Sequence, residues 1–273
     1  MKEALETQRS FVNSWECDEN AHMNIQFYWK RFGDAGQIFF HLNKSHLQNW
    51  VDRHVRYHGE LMMGTNTIVR SARISNENKV VHHLINGDSG ELSATAVDVY
   101  PAATEGVAPA LNQIPSNSEP RSLPQNQLPP SDTQEKINNG SGLVSHRCVV
   151  APHECDAQGV VLDQHQIARF SDAASHLWQH LGVSRQWMRQ LDLGTVAVEM
   201  KASRHNEARV GTMLEVVTWV ESIQAKTMTF RHQVGDLATG LPLYSGAVTA
   251  LLMDLKTRKA IELPDMMRRP TIG

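Results

Sequence analysis

Apolar residues recur at helical spacing in two long segments of the chain, one in each half. Within each segment they stand three or four positions apart, which brings their side chains to one face of an α-helix. The first stripe consists of Tyr28, Phe32, Ala35, Phe39 and Leu42, and the second of Ile167, Phe170, Ala174, Leu177 and Leu181. The sequence therefore predicts two long helices, each with one buried face.

After each helical segment the apolar period changes to two, which is typical of strands. The alternation is clearest at residues 214–220 and 228–234 and looser at 68–74. Turn signals rich in Asn, Asp and Gly separate these runs, and a short strand is predicted before each helix, at 10–15 and 145–151. The order strand, helix and four strands thus occurs twice. It predicts an α+β fold in which a long helix packs on an antiparallel sheet of about five strands.

A motif in front of each helix occurs twice at one constant offset. The first copy is Glu16-Cys17-Asp18 followed by Arg31-Phe32-Gly33-Asp34-Ala35, and the second is Glu154-Cys155-Asp156 followed by Arg169-Phe170-Ser171-Asp172-Ala173. At a slightly larger offset, His58-Gly59-Glu60 matches His205-Asn206-Glu207, so the second copy has a longer segment between its helix and its strands. A period this long indicates two whole domains.

Residues 101–142 differ in composition from the rest of the chain. They contain seven of its 11 prolines and no aromatic residue, so they bury too little apolar surface to offset the entropy of ordering them. We interpret this segment as a linker that is flexible or lies along a surface. The predicted domains are repeat one at 1–100, the linker, repeat two at 143–263 and a C-terminal tail at 264–273.

Composition limits the classes of function. Of the 273 residues, 41% are hydrophobic, and the net charge of −3 provides no long-range attraction to nucleic acid or to an anionic membrane. The first 20 residues lack the apolar core of a signal peptide, and the apolar segment 247–255 is too short to span a bilayer. Three cysteines (Cys17, Cys148 and Cys155) do not form a disulfide framework, so we expect a cytoplasmic protein.

The two acidic loops carry a family resemblance. Asp18-Glu19-Asn20-Ala21-His22-Met23-Asn24, followed by Tyr28, resembles the D-x-N-x-H-x-N…Y motif of acyl-ACP and acyl-CoA thioesterases of the hotdog fold. Asp156-Ala157-Gln158-Gly159-Val160-Val161 resembles the D-x-x-G-[IV]-V loop of the 4-hydroxybenzoyl-CoA thioesterase group. The resemblance covers both repeats and excludes the linker. It implies a tandem, or double, hotdog, in which two repeats of one chain do what two subunits do elsewhere.

Thioester hydrolysis needs a group that activates water or attacks the carbonyl carbon, and donors for the developing oxyanion. In the first loop, Asp18 is the expected general base or nucleophile, and His22 could move protons near neutral pH. Asn20 and Asn24 supply amides that orient water or the thioester, and backbone N–H groups at 24–27 are expected to hold the oxyanion. An isolated Asp at this place would instead be interpreted as a turn or capping residue.

The second loop keeps its acid but lacks the accompanying groups, because Val160, Leu162 and Gln166 stand where the first repeat has His22, Asn24 and Tyr28. We expect one principal site, built on Asp18. A second working site based on Asp156 and Gly159 is the alternative.

Three further carboxylates and one aromatic residue need an interpretation. Tyr28 is first of all a core residue but is expected to line an acyl channel, and Glu60 is expected to help position water. The simpler interpretation of Glu60 is a solvated carboxylate at a strand edge, and Glu16 and Glu154 are interpreted in the same way.

The expected reaction is hydrolysis of an acyl-CoA or acyl-ACP thioester to the free acid and thiol. Two alternatives stay open: a hotdog hydratase acting on enoyl thioesters, and a non-catalytic module that binds acyl thioesters. No spacing indicates a metal site or a nucleotide cofactor, and a reactive thiol is not expected because carboxylates flank Cys17 and Cys155. Exposed sheet edges suggest a homodimer or a higher homo-oligomer.

Overall fold

The predicted order of strand, helix and four strands occurs twice in the structure, a computed structural model that describes residues 4–268. The chain divides into two units. The first comprises the residues up to 121 together with 162–168, and the second comprises 122–161 together with those from 169 onward. Each unit is α+β, with few helices and an antiparallel sheet.

The first unit contains β1 (Leu5–Phe11), α1 (Ile25–Leu42), β2 (Asp52–Tyr57), β3 (Asn66–Ile74), β4 (Lys79–Asn86) and β5 (Leu92–Val99). Its strands are antiparallel in the order β1-β3-β4-β5-β2. A short strand, β6 (Ala110–Leu111), pairs with β3 in parallel. Helix α1 packs on β1, β3 and β4, so the core of this unit lies between one helix and one face of its sheet.

The buried face of α1 is nearly the one that the apolar stripe predicts. Phe32, Ala35 and Phe39 are fully buried and Tyr28 is 4% exposed. Leu42 was expected on this face, but it is 41% exposed because the helix ends there and leaves the sheet side.

The second unit contains α2 (Thr133–Asn138), β7 (Gly142–Val149), most of α3 (Asp163–His180), α4 (Arg185–Gln190), β8 (Leu193–Arg204), β9 (Met213–Ile223), β10 (Thr227–Asp236), β11 (Pro242–Asp254) and β12 (Lys259–Ala260). Its main strands are antiparallel in the order β8-β11-β10-β9-β7, and β12 pairs with β11. Helix α4 fills the longer segment that the unequal offsets predict between helix and strands.

The packing of α3 on its sheet depends on one glycine. The Phe170 ring stacks on the His232 imidazole with the ring centroids 4.7 Å apart. It occupies the space that a β-carbon at Gly246 of β11 would need. Of the other stripe residues, Ile167, Leu177 and Leu181 are buried and Ala174 is half-buried.

Both opening strands end earlier than predicted. β1 ends at Phe11 and β7 at Val149, and a single 3-10 turn follows each strand, at Ser14–Glu16 and at Pro152–Glu154. The carboxylate of the Glu at the end of each turn accepts the backbone N–H of the residue just before the turn, Asn13 at 3.0 Å and Ala151 at 2.8 Å. This capping interaction stops the strand and starts the acidic loop.

The Pro-rich segment makes specific contacts on each unit. In the first unit, the Asn43 side chain bonds the backbone of Glu105 and Ala108 at 2.7 Å each. In the second unit, residues 122–131, which we call the strap, lie along β8, β10 and β11. The boundaries expected for the linker and the two repeats stay predictions.

Buried charges fasten the strap to β8. The Glu199 carboxylate, 2% exposed, accepts the Ser122 backbone N–H at 2.9 Å, and the Lys201 ammonium, 1% exposed, donates to the Gln125 carbonyl at 2.9 Å. The strap residues Leu123 and Leu128 form a hydrophobic cluster with Ala247 of β11. The strap therefore covers polar and apolar groups on this face of the sheet.

A buried ionic cluster stabilises the first unit. The Arg53 guanidinium is fully buried and bonds both oxygens of Asp98 at 2.6 Å each, as well as one oxygen of Asp163 at 2.7 Å. The Trp50 indole N–H donates to the same Asp163 oxygen at 2.9 Å. Arg53 lowers the pKa of the buried Asp98 carboxyl despite the opposing effect of burial, so the pair stays ionised.

The predicted C-terminal tail begins at residue 264. Asp265–Arg268 form a 3-10 turn, and residues 269–273 lie outside the described part of the chain. None of the helices described between residues 4 and 268 is both long enough and apolar enough to cross a membrane.

Candidate functional site

The carboxylate of Asp18 closes the first acidic loop. Its Oδ1 accepts the backbone N–H groups of Asn20 (2.8 Å) and His22 (3.1 Å), and its own N–H donates to the His22 carbonyl at 2.8 Å. The residue is exposed. No hydrogen bond to Oδ2 occurs within residues 4–268. One oxygen therefore fixes the orientation of the carboxylate, while the other faces solvent.

His22 is held beside a carboxylate from another part of the unit. Its Nε2 lies 3.4 Å from Oε2 of Glu60. Backbone hydrogen bonds from Met23 to Leu61 (2.7 Å) and from Met63 to Ala21 (3.0 Å) bring the segment that follows Glu60 against the acidic loop. Glu60 is thus paired with the His22 ring. The repeated His-x-Glu pattern drew attention to Glu60, but it did not predict the pairing with His22.

Asn24 caps α1, and its side chain is oriented by that role. Its Oδ1 accepts the Gln26 backbone N–H at 3.2 Å, which turns the Nδ2 donors away from the helix. The backbone N–H groups expected to hold an oxyanion are mostly committed: Asn24 donates to Glu16, and Phe27 donates to Asn24, each at 2.9 Å. That expectation is therefore wrong for Asn24, Gln26 and Phe27, and it stays a prediction for Ile25.

Asn20 and Tyr28 have different surroundings. Asn20 is exposed, and its backbone N–H bonds Asp18. The Tyr28 hydroxyl accepts the Leu61 backbone N–H at 3.1 Å, and burial raises the pKa of Tyr28 to about 12. Tyr28 thus anchors the turn that carries Glu60, and its contact with substrate stays a prediction.

The second acidic loop has nearly the same geometry. Oδ1 of Asp156 accepts the backbone N–H groups of Gln158 and Val160 at 2.9 Å each. Gly159 adopts a φ of 77°, at the position where Ala21 of the first loop has a φ of 61°. Gly159 therefore satisfies a left-handed turn that the first repeat achieves with Ala. The loop geometry alone does not distinguish a catalytic Asp from a structural one.

The two loops differ in what pairs with the neighbouring Glu. In the second repeat Glu207 forms an ion pair with Arg209, whose guanidinium also donates to the Gln158 carbonyl at 3.1 Å. Val160 faces Arg209 in an isolated β-bridge, just as His22 faces Met62 in the first repeat. The carboxylate beside the second loop is therefore paired with a permanent cation, whereas the carboxylate beside the first loop is paired with an imidazole that can gain or lose a proton.

Glu16 and Glu154 are not solvated carboxylates, so that interpretation is wrong. Each is buried and pairs with the Arg of its own repeated motif: Glu16 with Arg31 at 2.7 Å and Glu154 with Arg169 at 2.6 Å. Burial opposes ionisation of Glu16, but hydrogen bonds from Arg31 and Asn13 outweigh it and lower its pKa. The constant spacing of Glu and Arg in both copies was a signal that the sequence interpretation missed.

The cysteines and the possible metal ligands have the following surroundings. Cys17, Cys148 and Cys155 are half-buried free thiols, and burial raises the pKa of each, aided at Cys17 and Cys155 by the adjacent carboxylates. Within residues 4–268, no three His, Cys, Asp or Glu side chains cluster as a metal site would require.

Comparison with known protein families gives a match in the second half of the chain. Residues 150–270 match the family model of the Thioesterase-like superfamily. Among curated protein sequences, none matches the chain. The family match supports thioester hydrolysis as the general reaction.

Solved structures show the fold. An acyl-ACP thioesterase from Bacteroides thetaiotaomicron is 9% identical, with a TM-score of 0.61, and the match covers 89% of this chain and 96% of that one. A protein provisionally named as an oleoyl thioesterase, from Lactobacillus plantarum, is 12% identical with a TM-score of 0.58, over 91% and 96% of the two chains. These findings confirm the resemblance to the hotdog-fold thioesterase superfamily.

Proposed function

We propose that the chain hydrolyses an acyl thioester carried on CoA or on acyl carrier protein, and that the principal site is the first acidic loop. The observation that supports this most is the Asp18 carboxylate, which has one oxygen held by two backbone N–H groups and the other exposed. We also propose that each repeat is a hotdog domain, so that the chain is a double hotdog with the boundaries predicted from the sequence.

Asp18 activates the attack on the thioester carbonyl. Its exposed oxygen either removes a proton from the attacking water or attacks the carbonyl carbon itself, forming a mixed anhydride that a water molecule then hydrolyses to the free acid. The loop holds the carboxylate in position for either route. The carbon–sulfur bond then breaks and the thiolate needs a proton. His22 supplies it, because the nearby Glu60 carboxylate stabilises the imidazolium form. The Nδ2 group of Asn24 is oriented to donate to substrate.

In this proposal the second acidic loop has a structural role and no catalytic one. Asp156 closes its loop as Asp18 does, but the neighbouring carboxylate Glu207 is neutralised by Arg209. No titratable side chain replaces His22 at Val160. We therefore propose that repeat two has no hydrolytic site of its own.

Asp18→Asn and Asp156→Asn form a matched pair of variants that tests this proposal. Asn retains an oxygen that can accept both loop N–H groups, so each loop keeps its closure while it loses its charge. Thiol release should be measured across short, long and aromatic acyl-CoAs and the matching acyl-ACPs. We expect Asp18→Asn to lower turnover by about 10²- to 10⁴-fold and Asp156→Asn to leave it unchanged.

Three results would contradict the proposal. Full activity of Asp18→Asn would exclude the first loop as the catalytic site. Conversion of enoyl thioesters without thiol release would instead identify a hydratase, and tight binding without any turnover would identify a binding module.

A further inference from the structure

Tyr57, the last residue of β2, has a hydroxyl group whose proton lacks an acceptor. The fully buried Trp29 donates its indole N–H to the Tyr57 oxygen at 3.0 Å. No acceptor for the Tyr57 O–H occurs within residues 4–268, and the residue is half-buried. Since Trp29 occupies an acceptor position of the phenol oxygen, the O–H must point to another side.

The Tyr57 ring contacts a residue that is hydrogen-bonded next to the candidate site. It contacts Tyr28 edge to face, with the ring centroids 5.3 Å apart. The Tyr28 hydroxyl in turn accepts the backbone N–H of Leu61, the residue after Glu60. Glu60 pairs with His22. A short series of contacts thus connects Tyr57 with the groups proposed to carry out hydrolysis.

The backbone at the start of α1 leaves few donors for an oxyanion. The N–H groups of Asn24, Gln26 and Phe27 are hydrogen-bonded within the loop and helix start, so among residues 24–27 only Ile25 has an N–H group without an acceptor in the described part of the chain, and a side-chain donor would complement it. Acyl transfer develops negative charge on the carbonyl oxygen, which needs a positioned donor in a site that excludes water. A phenol held by an indole is such a donor, and burial raises the pKa of Tyr57 so that the hydroxyl keeps its proton.

We propose that the Tyr57 hydroxyl donates a hydrogen bond to the carbonyl oxygen of the bound thioester and stabilises the charge that develops there. This inference rests on the proposed function. The role is specific to repeat one, because the equivalent position in repeat two is occupied by Arg204. Tyr57 is at the end of β2 and pairs with Ala94 of β5, and Arg204 is at the end of β8 and pairs with Tyr244 of β11. Repeat two therefore has a guanidinium group where repeat one has a phenol.

The test compares Tyr57→Phe with Tyr244→Phe, using the best acyl-CoA of the thiol-release screen. Tyr244 is a matched control, since its hydroxyl is buried in the second unit and makes no hydrogen bond. We expect Tyr57→Phe to lower kcat by about 10²-fold with little change in KM, as for the loss of one oxyanion donor. Tyr244→Phe should leave both constants unchanged.

Two inhibitors separate a catalytic role from a structural one. An S-alkyl-CoA thioether has no carbonyl and should bind wild type and Tyr57→Phe equally. A trifluoromethyl ketone analogue, which mimics the tetrahedral intermediate as its hydrate, should bind Tyr57→Phe at least tenfold more weakly. Equal loss of affinity for both inhibitors would mean that the pocket is disturbed, and would overturn the inference.

The inference and the proposed function can fail separately. If Asp18→Asn is inactive while Tyr57→Phe has wild-type kinetics, the first loop is catalytic and Tyr57 is not its donor. If Asp18→Asn is fully active, the proposed site itself is wrong, and the role of Tyr57 is overturned with it.

Discussion

At the scale of single residues, the pairing of His22 with Glu60 distinguishes the first repeat from the second. The two side chains approach to 3.4 Å, whereas the corresponding Glu207 is paired with Arg209. An imidazole can exchange a proton near neutral pH and a guanidinium cannot. The difference between the repeats therefore lies in the partner of a carboxylate rather than in the acidic loop.

Glu60→Gln tests this difference. The amide keeps the size of the side chain but no longer stabilises a charged imidazole, so we expect kcat to fall by about 10- to 100-fold, the loss expected for one charge-assisted hydrogen bond. Steady-state thiol release measures the effect. Glu207→Gln is the matched control and should leave kcat unchanged. Equal effects of the two variants would contradict the assignment of one working repeat.

At the scale of elements, each sheet contains a buried histidine that is hydrogen-bonded to a hydroxyl group of the neighbouring strand, but the two histidines differ in their other neighbours. In β10, the Nδ1 of His232 bonds the Thr218 hydroxyl at 2.7 Å, and burial lowers the pKa of His232 to about 3. In β4, His82 bonds Ser71 at 2.6 Å and also lies 3.4 Å from the Asp98 carboxylate. Among residues 4–268, the Asp98 carboxylate lies beside His82, whereas no charged partner is found beside His232.

His232 makes the second unit sensitive to acid. An unfolded imidazole titrates near 6.5, so below that pH the unfolded chain binds a proton that folded His232 does not. The stability associated with neutral His232 is complete above pH 6.5 and is lost as the pH falls toward 3. Between pH 7 and pH 5 we expect wild type to lose roughly 2 kcal/mol more than His232→Gln. Urea unfolding at both pH values measures this, and parallel losses would contradict it.

Weakening the contacts of the strap should destabilise mainly the strap itself. Leu128 is 1% exposed and packs with Leu123 and Ala247, so Leu128→Ala should cost about 2–4 kcal/mol at this contact. We expect faster proteolytic cleavage within residues 122–131, because local opening becomes more frequent. The exposed neighbour Asn126→Ala is the control. Unchanged cleavage in Leu128→Ala would show that the strap does not depend on this cluster.

At the scale of the whole molecule, the proposal predicts a stoichiometry. If only the first loop works, one S-alkyl-CoA thioether should bind per chain with high affinity. Calorimetric titration of the wild-type protein measures this number. Two equivalent molecules per chain would show that the Asp156 loop also forms a complete site.

The sequence predicted the architecture well because apolar periodicity reports burial directly. The stripes through Phe32 and Phe170 placed both long helices, and the unequal offsets of the two motifs revealed the insertion that became α4. The ends of β1 and β7 were misplaced, since capping by Glu16 and Glu154 depends on side chains that fold back on the backbone.

The candidate site could be predicted only in part from the sequence. Asp18, His22 and Asn24 lie in one motif, so their proximity followed from sequence. The pairing of Glu60 with His22 and the hydrogen bond from Trp29 to Tyr57 depend on residues far apart in the chain. Such contacts are set by strand register, which the local pattern does not contain.

The closure of both acidic loops by an aspartate has an evolutionary consequence. Because the Oδ1 of Asp18 and that of Asp156 each hold two backbone N–H groups, selection for folding alone can preserve an acid at either position. After a duplication, one copy can lose its chemistry while it keeps its signature residue. Counting signature aspartates in two-repeat chains of this kind would therefore overestimate the number of working sites.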